Sequence, residues 1–391
     1  MKKILPPLHP RDPKEAHRAA TQLELFFDLV SVIAIAALTA SFHHALSEGH
    51  GLEKLPNFLL IFVSIWWVWM NYTWFSSAFD NGDATFRIFS FLIITGELIF
   101  TAGVPYVFKT LDFSFTLLGW IIMRLGMALL WLRAALASHR VKPVALRYLF
   151  GILLAQTLWT LLYFSIEPGT SLFLALACGI FALEFLVPIV AEQAGNTPWH
   201  RHHIVERYGL LHIIVLGEVL LSISFMFRGL FEDGMGVNTI IAALSALTIV
   251  FVIWWLYFIE TAHLKSSKPS DQFIWSYIHV FLFVSTSILG AGFAGYLDFL
   301  QGHSHSSATT LMWYIHLSIT CYLFTLWLIR DRFEPHSITR SVLLIASLFF
   351  ATTPLWNSSL AITSMLMLLT LIIRAGCDQV PSPLLASTRL K

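Results

Sequence analysis

Twelve runs of about twenty mostly apolar residues follow one another along the chain, at roughly 22–46, 57–79, 86–108, 113–135, 144–165, 170–191, 205–227, 237–261, 272–296, 309–329, 338–355 and 358–374. A bilayer core is crossed by about 20 such residues in a helix. Inside lipid every backbone N–H and C=O must be paired within the segment, so runs of this length have one outcome, the spanning helix. The expected fold class is an all-α integral membrane protein of about 12 transmembrane helices. Polar, turn-rich breaks such as "DNGDATFR", "SHRVKP" and "RDRFEP" separate the runs. Composition agrees: 57% of the 391 residues are hydrophobic and 12% are charged, where a soluble domain carries about 25% charged residues.

The basic residues set an orientation. With the N-terminus in the cytoplasm, all of the 24 Lys and Arg except Lys54, Lys109, Arg124 and Arg228 fall in cytoplasmic segments or at the helix ends beside them. Residues 1–20 then form a cytoplasmic tail, since "MKKILPPLHPRDPKEAHRAA" has no apolar stretch long enough for a signal peptide. Residues 376–391 form a second cytoplasmic tail. A net charge of +1 argues against nucleic acid as a partner. The expected partners are the lipid bilayer and a small ion or solute. The sequence leaves the oligomeric state open, with a homodimer as one option, and it names no cofactor. Three separated cysteines, Cys178, Cys321 and Cys377, fit neither a disulfide framework nor a zinc site.

Two stretches align without gaps, "IFVSIWWVWMNYT" from Ile61 and "IVFVIWWLYFIET" from Ile249, with Trp66-Trp67 over Trp254-Trp255. They fall in the second and eighth runs, which predicts two parallel six-helix halves, residues 21–192 and 193–375. Parallel repeats of this kind recur among secondary transporters.

Charges inside spans are costly and point to function. Glu97 and Arg124 stand about eleven residues either side of the turn "TLDF", so they are expected at matching depth and as an ion pair. Glu184 and Glu218 also lie deep, which makes three deep acids against one deep cation. Nearer the cytoplasm come Asp28, His212 and His279, with Glu206 and Glu260 closer still to the surface and Arg207 as a partner for them. A histidine beside a carboxylate is suited to relaying protons. The first helix opens on "TQLE", a capping box in which Thr21 caps and Glu24 answers three residues later. Asp28 is one turn too far along to cap anything, so it needs a partner, a proton or water.

At "LELFFDLVSVIAIAAL" and "VERYGLLHIIVLGEVLL" the chain resembles the bacterial low temperature requirement protein A (LtrA) family, over about residues 18–375. The resemblance implies a bacterial inner-membrane protein associated with growth in the cold. Its motif positions fall here on Glu24, Phe27, Asp28, Glu206, Arg207, Gly209, Gly217 and Glu218. "FFDLVSVIAIA" is also loosely similar to the Phe-Ser-Asp first-helix signature of potassium channels built from six-helix repeats, although Phe27 replaces the serine and the seventh run has no Phe-x-Asp.

No P-loop, HExxH or nucleophile-elbow pattern is present, so no catalytic or metal-binding residue is expected. "HSH" at 303–305 reads as a polar loop, and "GAGFAG" at 290–295 as a close helix contact. The reading that fits best is a secondary transporter coupled to protons or cations. Its candidate ion- or substrate-binding residues are Asp28, Glu97, Arg124, Glu184, Glu206, His212, Glu218 and His279. The alternatives are a cation channel with helices 1 and 7 lining the pore, and an intramembrane enzyme or a lipid or cold sensor.

Overall fold

A computed structural model describes residues 8–13, 15, 18–232, 236–259, 269–333, 337–356 and 359–378. Within them the chain is helical, with no strand. The elements are α1 (Gln22–Ser47), α2 (Gly51–Phe79), α3 (Ala84–Thr110), α4 (Ser114–Ala137), α5 (Lys142–Ser165), α6 (Ser171–Glu192), α7 (Arg201–Glu232), α8 (Val237–Phe258), α9 (Pro269–Leu300), α10 (Ala308–Ile329), α11 (Ser337–Thr352) and α12 (Leu360–Asp378). Eleven of these are long and apolar enough to cross a bilayer, and α12 is a shorter apolar helix. Glu260 and the tail beyond Asp378 lie outside the described residues.

Local chemistry sets the helix starts. At α1 the Thr21 hydroxyl accepts from the Glu24 amide at 3.3 Å, and the Thr21 amide donates to Glu24 Oε2 at 2.7 Å, which closes the capping box. Thr170 caps α6 and Ser307 caps α10 in the same one-sided way, each hydroxyl accepting from the amide three residues on. Asp83 caps α3 by accepting from the Phe86 amide at 2.8 Å. The tight turn before it uses Gly82 at φ 68°, a left-handed conformation that glycine adopts without strain.

Asp83 also meets Arg133 of α4, whose guanidinium donates to Oδ1 at 3.0 Å. Burial works against its ionisation, but the Arg133 and Phe86 donors outweigh it and hold the carboxyl below the usual aspartate range. Because the folded-state value lies below the unfolded one, this stabilisation is present above the ordinary aspartate pKa, about 3.9, and is lost as pH falls through the folded-state value. Asp83→Ala should cost about 1–2 kcal/mol. Asp83→Asn keeps the cap and should flatten the dependence of the melting temperature on acid, read by thermal unfolding at a series of pH values.

The chain divides into two compact units, residues 1–41 with 52–214, and residues 42–51 with 215–391. In the first, α3 and α4 pack backbone to backbone. A Cβ on Gly119 would sit 2.4 Å from the Phe100 amide nitrogen, and one on Gly96 would sit 2.7 Å from that of Met123. Small residues let helices approach this closely in lipid. In the second unit α9 and α10 pack through Gly292 and Gly295, which face Ile315 and Leu311, as the "GAGFAG" stretch predicts. Asp331 lies fully buried there between Arg330 (Nε at 2.6 Å) and Arg374 (Nε at 2.8 Å). His43 Nε2 and the Ser47 hydroxyl meet Asp298 Oδ2 at 2.8 and 2.6 Å.

The aligned tryptophan pairs have different surroundings. Trp66 and Trp67 of α2 are buried, whereas Trp254 and Trp255 of α8 are about half exposed.

Candidate functional site

Helices α1, α2, α3, α4, α6 and α7 of the first unit enclose a string of buried polar side chains. It begins at Glu24. Besides capping α1, this carboxylate accepts from Ser76 of α2 at 2.7 Å and from Arg18 at 3.1 Å, and it meets His203 of α7 at 3.3 Å. Arg207, one turn after His203 on the same face of α7, bridges Glu24 at 3.5 Å and Asp28 at 2.5 Å. Trp69 of α2 donates its indole N–H to the same Asp28 oxygen at 2.7 Å. Four charged groups and a histidine are thus paired with one another in a buried cluster, where breaking one pair leaves a costly unmatched charge.

Asp28 has a second oxygen, Oδ2, and this one has no hydrogen-bond partner. One turn deeper on α1 stands the buried Ser31 hydroxyl. Glu97 of α3 follows, 1% exposed, with no cationic partner. The Ser31 hydroxyl is the hydrogen-bonding neighbour of the Glu97 carboxyl, and Asp28 acts on it through space. Carboxyl and hydroxyl oxygens from α1 and α3 therefore share one buried region.

Beyond it, Arg124 of α4 pairs with Glu184 of α6, and Trp67 donates to the same carboxylate at 2.8 Å. The Arg124 guanidinium also stands 5.5 Å from the ring centre of Trp120. The expected Glu97–Arg124 pair is therefore replaced by Arg124–Glu184. The reason is the glycine contact: α3 and α4 are too close at Gly96 and Gly119 to hold an ion pair between them. Residues flanking that seam, Glu97 on one helix and Arg124 on the other, project away from it.

The other candidates fall elsewhere. Glu206 is exposed, and Arg207, its expected partner, turns inward to Glu24 and Asp28. His212 is buried in α7 of the first unit. Glu218 is half-buried in the second unit. His279, also in the second unit, is buried against Trp275 at 4.1 Å and donates Nδ1–H to the Trp275 carbonyl at 2.7 Å. Sequence reasoning passed over Arg18, Ser31, Trp69 and His203. His203 and Arg207 stand four residues apart, and Asp28 and Ser31 three, the spacings that share a helix face; that was the available signal. Among the described residues no three His, Cys, Asp or Glu side chains gather as metal ligands.

Two likenesses accompany this geometry. The chain is 26% identical over 276 residues to an uncharacterized protein of Rhizobium meliloti (strain 1021), a match covering 66% of this chain. It spans 64% of that protein's length. The model of the bacterial low temperature requirement A protein matches residues 19–376, nearly the whole chain. The chain belongs to the bacterial low temperature requirement A (LtrA) family of membrane proteins.

Proposed function

We propose that the protein is a secondary transporter driven by protons or a small monovalent cation, and that Glu97 is the residue that takes up the coupling ion. One observation carries this reading: a fully buried carboxyl with no cationic partner, whose hydrogen-bonding neighbour is the Ser31 hydroxyl and which lies within the field of Asp28. Charge balance points the same way. Glu24, Asp28, Asp80, Glu97 and Glu184 are buried in and around this network with Arg18, Arg124 and Arg207, so carboxyls are in excess while His203 is neutral. Burying an uncompensated carboxylate costs several kcal/mol, so the position calls for a positive charge that arrives and leaves. A proton meets that need, and so does a hard cation that accepts all-oxygen ligands. The network from Arg18 to Asp28 is the polar route by which it reaches Glu97.

The proposal keeps two six-helix halves, residues 21–192 and 193–375, on the strength of the aligned tryptophan pairs, and both termini in the cytoplasm on the Lys and Arg distribution. The transported solute is a small molecule or ion.

Purified protein in liposomes on a solid-supported membrane tests the reading with jumps of protons, Na⁺ and K⁺, and a lumenal pH dye reports electroneutral exchange. A saturable response to protons or Na⁺ is the expected result. A K⁺ current with unitary conductance would replace the carrier by a channel. Silence of both current and dye under every gradient would sink the proposal.

A further inference from the structure

The segment ahead of α1 crosses the end of the polar string at Glu24. Its described residues, 8–13, 15 and 18–20, form neither helix nor strand, yet the segment is tied down along its length. The Arg11 amide donates to the Ala78 carbonyl at 2.9 Å, and the Arg11 guanidinium donates to the Asp80 carbonyl at 2.8 Å, both at the end of α2. His200, just ahead of α7, donates Nε2–H to the Glu15 carbonyl at 2.8 Å, and its amide donates to the Ser77 hydroxyl at 3.0 Å. Arg18 then reaches Glu24 at 3.1 Å, and the Thr21 hydroxyl donates to Asp80 Oδ2 at 3.2 Å. Leu8 is fully buried.

The polar groups beside these ties are shut away from water. Glu24, Ser76, Ser77 and His203 are fully buried, and Asp80 is 2% exposed. All of them stand within a turn or so of the ends of α1, α2 and α7, where a spanning helix meets the aqueous phase. Polar side chains buried so near helix ends need a cover. The segment supplies one, passing from the end of α2 to the start of α7 before it enters α1.

Its hold is light. Arg11 is half-buried and divides its donors between the Asp80 carbonyl and Glu15, which it meets at 2.7 Å. Hydrogen bonds at a part-exposed, irregular segment break at a lower free energy than packed helices separate.

We infer that this segment is a strap that closes the Glu24 end of the polar string, and that release of Arg11 from α2 and of Glu15 from His200 opens it. Lifting the strap uncovers the Glu24–His203 pair without moving any helix, so an ion can enter while the helices below stay packed. The strap's purpose rests on the transport reading, but its opening is measured without transport.

The test uses the full-length protein in lipid nanodiscs, with Cys178, Cys321 and Cys377 replaced by alanine and Ser77→Cys as the reporter. A charged, water-soluble maleimide should label this buried position slowly. Arg11→Ala removes the tie to the Asp80 carbonyl and should speed labelling on the order of tenfold, the effect of one lost hydrogen bond. Arg11→Lys keeps a donor and should restore most of the slow rate, with melting temperatures confirming that each variant folds. A second variant holds the strap shut. Asp12→Cys with Asn81→Cys places thiols at exposed positions flanking the Arg11–Asp80 tie. A short bis-maleimide with a reducible spacer should join them, stop the liposome response to ion jumps, and release it when reductant is added. Unchanged labelling in folded Arg11→Ala would overturn the inference. So would a pair that does not cross-link, or a cross-linked protein that responds as fully as the reduced one. Faster labelling in Arg11→Ala, together with silence toward every gradient in all forms, would sink the transport reading and leave the strap standing.

Discussion

Glu97→Leu should stop ion-driven current in liposomes and at the same time raise the melting temperature of the protein. The two effects have one cause. Leucine nearly matches glutamate in volume and removes two buried oxygens that share a single hydroxyl neighbour, Ser31, and have no cationic partner. Relief of such unmet polar groups contributes about 1–3 kcal/mol. The same oxygens are what a proton or cation would bind, so the stabilised variant has nothing to load. Glu97→Gln separates charge from shape: it should lose the current as fully as the leucine variant, without the gain in stability, because its amide remains buried and polar. Current measured on the solid-supported membrane and unfolding followed by thermal scanning read the two properties from one preparation. A variant that gains stability and keeps its current would remove Glu97 from the transport cycle.

Arg207→Met should produce the largest loss of stability in the first unit, about 3–5 kcal/mol, the range for breaking a buried pair by removing one partner. Arg207 is fully buried and spans two carboxylates, 3.5 Å from Glu24 and 2.5 Å from Asp28. Its removal leaves Asp28 with the Trp69 indole as its donor, beside a second acid. Lysine should rescue poorly, since a single ammonium cannot reproduce the planar fork that reaches both acids. Asp28→Asn on the Arg207→Met background should recover part of the loss by removing the stranded charge. Thermal unfolding of the single and double variants closes the cycle. Full stability in Arg207→Met would show that the bridge is dispensable.

The sequence made some of this legible because some of it is local. Bilayer thickness imposes a length that any span must meet, and the apolar runs reproduce the helices closely. The main departure is α2, which starts at Gly51 instead of near 57; Glu53 and Lys54 sit in its first turn, where polar residues meet the free backbone N–H groups, and Pro56 lies just beyond it inside the helix. The capping box at Thr21 and Glu24 was readable for the same reason, being confined to four residues. Counting residues from the nearest loop yields an expected depth along the membrane normal; of the residues it places deep, Glu97, Arg124 and Glu184 are buried and Glu218 is half-buried. It gives no information about azimuth. Whether Glu97 turns toward α4 or toward α1 depends on which face the glycines occupy, and that is a tertiary fact. Glu24 was harder still: a sufficient local role in the cap hid its role at the head of the charged string. Trp67 and Trp69 carry the polar contacts of α2 through single N–H groups, which an apolar count treats as hydrophobic.

The glycine seam between α3 and α4 has a mechanical consequence. Two helices whose backbones touch at Gly96, Gly103 and Gly119 cannot slide or roll past each other without collision, so they have the freedom of a single body. Glu97 is carried on that body, while Asp28 and Ser31 are carried on α1. Any motion that exposes Glu97 and then buries it again must take place across the α1–α3 boundary. The distance between a crosslink or spin label on α3 and one on α1 is therefore the coordinate along which a working cycle would be seen, and the α3–α4 distance is its internal ruler.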